Sequence, residues 1–161
     1  MADTPSWSDP APTLAASTTL NHDAEAAWAL LNDVRAAARC VPKAEIGHPL
    51  GDGTYPARIR LAMGPLGRNF EGMMRVLGTD ERTRTLRLGF ADNGQEVATT
   101  PPVRVTFRLE PTSTGAVLYA DMWLPGRVGR LGGGFGGDIA RGLFVRFGQR
   151  LDAALADPGR P

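Results

Sequence analysis

The sequence predicts an α+β domain: a curved antiparallel sheet of about seven strands, with two short helices after strand 1 and a long C-terminal helix across its concave face. Three observations carry that expectation. Apolar residues recur at every second position for some eighty residues in the middle of the chain, and at helical spacing before and after that stretch. The strand-like segments follow one another through short links, which suit antiparallel neighbours and are too short for parallel crossovers. With 161 residues, 42% of them hydrophobic, and a net charge of +1, the chain has the composition of one folded domain, although 20 Gly and 13 Pro demand many turns.

Residues 1–12, with three Pro, two Asp and no periodicity, are expected to be a disordered leader. Residues 13–156 form the domain, and 157–161 a tail. Leu14, Ala16 and Leu20 alternate with Ser17 and Thr19 in a half-buried first strand. Asp23 is a good N-cap and Glu25 suits the positive end of a helix dipole; Ala27, Trp28, Leu30, Leu31 and Val34 follow at helical spacing. A short second helix is expected over Arg35–Cys40, stopping before Pro42.

Gly51-Asp52-Gly53 then marks a turn into the long period-two stretch. Tyr55, Ala57, Ile59, Leu61 and Met63 share one face, with Arg58 and Arg60 on the other. Phe70, Gly72, Met74 and Val76 come next, then Leu86, Leu88 and Phe90, then Val103, Val105, Phe107 and Leu109, and last Leu118, Ala120, Met122 and Leu124. Pro101-Pro102 should mark a bulge or an edge. Helical spacing returns at Val128, Leu131, Phe135, Ile139, Leu143, Phe147, Leu151 and Leu155, a single stripe that should pack across the apolar face of the sheet.

Several function classes are excluded. Eighteen basic residues balance 17 acidic ones without clustering, so nucleic acid is not an expected partner. The one cysteine, Cys40, allows no internal disulfide or thiolate zinc site and reads as a small buried residue. No metal or cofactor is called for. The N-terminus lacks a signal-peptide pattern and no apolar run is long enough for a transmembrane anchor, so a soluble, cytoplasmic protein is expected. Gly132–Gly137 matches G-x-G-x-x-G in form, but no parallel strand leads into it and too little chain follows to complete a nucleotide-binding unit. Its five glycines instead suit either a movable lid or a close helix-to-sheet contact, with residues 126–138 as the mobile part of the domain.

The inward faces converge on a candidate ligand-binding cavity. Its lining comprises Tyr55, Ile59, Met63, Phe70, Met74, Leu88, Phe90, Val105, Phe107, Leu118 and Met122 from the sheet, and Leu131, Phe135, Ile139, Leu143 and Phe147 from the helix. The sheet residues among them include no Asp, Glu or Lys, so no catalytic residue is assigned; Tyr55 and His48 are the titratable candidates nearby. Three Met and several Phe make an adaptable surface for a flexible hydrophobic small molecule, though the same residues would also fill an ordinary core. His22 reads as a surface or capping residue, and His48, near a glycine turn, as exposed. Arg58, Arg60, Arg104 and Arg108 would form a patch for an acidic partner only if their strands were neighbours.

Short motifs spread over residues 13–155 resemble the carbon monoxide dehydrogenase G family. They are Asp23-Ala-Glu-Ala-Ala-Trp-Ala-Leu-Leu-Asn-Asp33, Arg39-Cys-Val-Pro42, Gly51-Asp-Gly-Thr-Tyr55, Gly64-Pro65, Phe70-Glu-Gly72 and Gly126-Arg-Val128. Lys43 departs from the pattern, because the family typically has Gly after the Cys-x-Pro turn; the glycine-rich start of the last helix is a second departure. The resemblance implies the helix-grip fold of START and Bet v 1-like domains, with a cavity open to apolar molecules between sheet and long helix. It also implies association with CO dehydrogenase or related molybdenum hydroxylase subunits, in membrane recruitment, maturation or quinone handling. Some relatives carry a C-terminal membrane anchor that Asp157-Pro-Gly-Arg-Pro161 does not provide, which leaves peripheral membrane contact open. The same fold hosts polyketide cyclases and dehydratases, and an enzyme of that type is the alternative expectation.

Overall fold

Two aspartates start the helices that follow strand β1 (Leu14–Leu20). Asp23 accepts a hydrogen bond from the Ala26 N–H at 2.7 Å and caps α1 (Ala24–Asn32). Asp33 ends α1 and accepts from the Ala36 N–H at 3.2 Å, so it also starts α2 (Val34–Ala38). One residue thus turns the chain sharply between two helices. α2 begins and ends slightly before the expected Arg35–Cys40 span, and Lys43, just beyond Pro42, takes a left-handed φ of 58°. The computed structural model describes residues 11–51, 53–63, 66–92, 103–123 and 137–156.

The remaining strands are β2 (Ala44–Ile46), β3 (Thr54–Met63), β4 (Leu66–Asp80), β5 (Thr85–Asp92), β6 (Val103–Thr112) and β7 (Gly115–Trp123). They form one seven-stranded sheet in the order β1-β7-β6-β5-β4-β3-β2, with every pair antiparallel. This is the curled half-barrel that the alternation predicts. Gly53 enters β3 at a φ of 82°, a conformation glycine adopts without a side-chain clash. A register shift between Val76 and Gly78 interrupts β4, the longest strand, and such bulges bend a sheet. Pro101-Pro102, where the sequence predicts an irregularity, lies outside the described residues.

Because opposite residues of paired strands share a face, the register assembles the apolar parities into one surface. One row runs Tyr55, Met74, Phe90, Val103 across β3 to β6. The next runs Val76, Leu88, Val105, Met122, Leu14, and beyond it stand Leu86, Phe107, Ala120, Ala16 and then Leu109, Leu118, Thr18.

Helix α3 (Gly137–Ala156) lies against this surface. The Phe107 and Phe147 rings meet with centroids 5.5 Å apart. Gly148 is pressed so close to β1 that a Cβ there would stand 2.6 Å from Thr18 Cγ2. The helix buries Phe144, Phe147 and Leu151, with Leu143 and Leu155 only half-buried, so the stripe predicted in steps of four is corrected. Steps of four drift off the face of a 3.6-residue helix, whereas 144, 147 and 151 hold to it.

Polar bonds fix the covering helices. The Asp152 carboxylate of α3 accepts from the Asn21 N–H at 2.9 Å and meets His22 Nδ1 at 3.0 Å. The Trp28 indole of α1 donates to Glu81 at 2.7 Å, and Arg84 donates to Glu25 at 2.6 Å, which tie α1 to the β4–β5 turn. Among the described residues, Leu20, Leu31, Leu86, Leu109, Leu118 and Leu151 are the largest side chains that are fully enclosed.

Candidate binding site

Burial divides the predicted lining. Met74, Leu88, Leu118 and Phe147 are buried in the core shared by the sheet, α1 and α3. Tyr55, Phe90, Phe107 and Met122 are half-buried and pack against that core from one side, and Ile59, Val105 and Leu143 are also half-buried. Leu131 and Phe135, and the side chains of Met63, Phe70 and Ile139, lie outside the described residues. So does most of Gly132–Gly137; its last glycine begins α3.

Most of the half-buried lining stands toward one end of the face, with Phe107 set apart in the row of Leu86 and Ala120. Tyr55, Ala57 and Ile59 of β3 and Phe90 of β5 stand at that end with Ile46, which pairs with Ala57 across from β2. At that edge a cavity of about 220 Å³ opens between α2 and β2, lined by Arg35, Ala38, Arg39, Ala44, Glu45 and Ile46. Sequence reasoning does not single out this place. The only sequence signal is the four-residue spacing of Arg35 and Arg39, which says nothing about the strand that faces them.

The titratable groups are placed as follows. His48 is exposed, with Arg35 Nη1 at 3.1 Å from its Nδ1, and takes no part in the lining. His22 is half-buried against Asp152 at the opposite, sealed end. Tyr55 is the polar group on the described lining, and no hydrogen bond joins its hydroxyl to another described residue. Burial raises the Cys40 thiol pKa above its ordinary value, against the weaker influence of Arg150 and Arg39, so the thiol stays protonated and core-like. Among the described residues no cluster of His, Cys, Asp or Glu suits a metal ion.

The arginines of the outer face do not make one patch. β3 and β6 are three strand spacings apart, roughly 14 Å. Arg58 is engaged by Glu45 and Glu71, Arg108 by Glu110 and the Tyr119 ring, and Arg104 lies 5.0 Å over Trp123. Carboxylates meet the charges of Arg58 and Arg108 locally.

The same architecture occurs in solved structures. A conserved protein from Geobacillus kaustophilus superposes with a TM-score of 0.68 at 17% identity, covering 88% of this chain and 93% of that one. The fold is the helix-grip fold. A Chromobacterium violaceum protein matches at 0.62 and 17% identity, over 88% and 95% of the two chains. The ZhuI aromatase/cyclase from a Streptomyces species matches at 0.56 and 15% identity, over 91% and 94%. No family model and no curated protein matches the sequence, so the resemblance to the CO dehydrogenase G family rests on its short motifs. One departure from those motifs now has a geometry: Lys43, where the family typically has Gly, holds a positive φ. Among the described residues no helix is long and apolar enough to cross a membrane.

Proposed function

We propose that the protein binds a hydrophobic small molecule, quinone- or lipid-like, between sheet and C-terminal helix, and catalyses no reaction. The observation that carries this reading is the group of half-buried apolar side chains, Tyr55, Ile59, Phe90, Val105 and Met122, on the same sheet face as a fully sealed core. A ligand covering about 400 Å² of apolar surface there gains roughly 10 kcal/mol before the costs of association, which is compatible with micromolar affinity. The motif resemblance adds a setting: an accessory of a cytoplasmic CO dehydrogenase or related molybdenum hydroxylase. Native mass spectrometry of freshly purified protein, with titration of quinone and fatty-acid probes, tests the binding. Recovery of no apolar ligand together with no probe binding refutes it; co-purification with hydroxylase subunits tests the setting separately.

A second reading, an enzyme of the polyketide cyclase or dehydratase type, is favoured by the aromatase/cyclase among the fold neighbours and by Tyr55 in the lining. Turnover of a polyketide substrate by the wild type and its loss in Tyr55→Phe would replace the binding reading with this one.

A further inference from the structure

The cavity between α2 and β2 has two chemically different walls. One is apolar and belongs to the concave face: Ala44 and Ile46 stand opposite Ile59 and Ala57 in the register, and Ile46 packs against the core beside Tyr55 and Ala57. The other is cationic. Arg35 and Arg39 stand one helical turn apart, and among the described residues neither pairs with a carboxylate. The Nε–H of Arg35 is closed off from solvent without a hydrogen-bond partner, while its Nη1 reaches His48. The one acid in the wall, Glu45, is engaged from the other side by Arg58. The cavity therefore has an excess of positive charge, and it opens onto an apolar surface.

We propose that Arg35 and Arg39 hold the carboxylate of an amphiphilic monocarboxylic acid whose apolar body lies along Ile46, Ala57 and Tyr55. Guanidinium groups match a carboxylate in geometry and charge, and a planar two-oxygen acceptor can bridge two of them one helical turn apart, which a neutral head group does not do. A single negative charge suits the wall better than the double charge of a phosphate, which would face Glu45. The adjoining apolar surface selects an acid with a body over a free small anion. This inference rests on the hydrophobic-ligand reading above and specifies which end of the ligand is recognised.

Calorimetric titration with decanoate and with decanol separates the two. The wild type is expected to bind decanoate about tenfold more tightly than decanol, the difference belonging to the charge-assisted contacts. In the double variant Arg35→Gln, Arg39→Gln that preference disappears while decanol affinity is retained, which also shows that the variant is folded. A wild-type measurement needs no substitution: raising the salt concentration weakens decanoate binding and leaves decanol binding nearly unchanged. Equal affinities in the wild type, or a preference that survives both the variant and high salt, overturn the carboxylate site and leave hydrophobic binding intact. Failure of both probes to bind the wild type overturns both.

Discussion

The concave face of the sheet is a single surface with two ends of different character. At one, Leu20, Leu86, Leu109 and Leu118 are sealed beneath Trp28 and Leu31 of α1 and Leu151 of α3. At the other, Tyr55, Ile59, Phe90 and Met122 have the same parity and the same apolar chemistry yet stay half-open. The strands do not make this difference. Among the described residues it follows from where the helices are tied down: Asp152 fixes α3 at the β1–α1 junction, and Glu81 and Glu25 fix α1 at the β4–β5 turn. An alternating pattern specifies a greasy face, and anchors elsewhere decide how much of it becomes core.

Truncation at the two ends breaks the comparison most directly. Leu118→Ala, at a site with 0% exposure, should lower unfolding free energy by about 3–5 kcal/mol, whereas Phe90→Ala should cost only about 1 kcal/mol and weaken binding of an apolar probe. Denaturant melts of the two variants check this, and equal losses would mean that the ends do not differ. Next in size is Gly148→Ala, which forces the Thr18 methyl aside at a net cost of about 1–2 kcal/mol. Adding Thr18→Ser removes that methyl, so the double variant should recover the loss in a double-mutant cycle. Lys43→Gly relieves a left-handed residue beside the open end and should stabilise by roughly 0.5–1 kcal/mol in the same melts.

The smallest effect is a pH dependence from the buried Cys40 thiol. The Cys40 pKa is raised in the folded state, mainly by burial, so its contribution to stability is complete below the unfolded thiol value of 9.0. Above that pH the unfolded chain loses the proton first and stability falls; Cys40→Ala should show a shallower decline, measured as Tm against pH.

The sheet was legible because parity needs no knowledge of contacts. Once Leu86, Leu88 and Phe90 alternate with polar residues, and Val105, Phe107 and Leu109 do the same, antiparallel pairing places them on one face. Asp23 likewise declared the start of α1 through its own side chain. Phe144 falls outside a stripe drawn in steps of four, because the helix turns every 3.6 residues; the step of three to Phe147 is the signal that marks it. Arg35 and Arg39 were illegible as a site for a deeper reason. Their role depends on α2 meeting β2, and no local pattern states which strand a short helix will face. The exposure of His48 did follow from its place near a turn.

Lys43 is the only lysine among 18 basic residues, and it is exposed immediately before β2. Apart from the N-terminal amine, the molecule therefore offers amine-directed reagents a single address, at the rim of the arginine cavity. A fluorophore attached there would report on what enters the cavity without any engineered residue, and the conformation that makes this lysine structurally awkward makes it a convenient place to observe the protein at work.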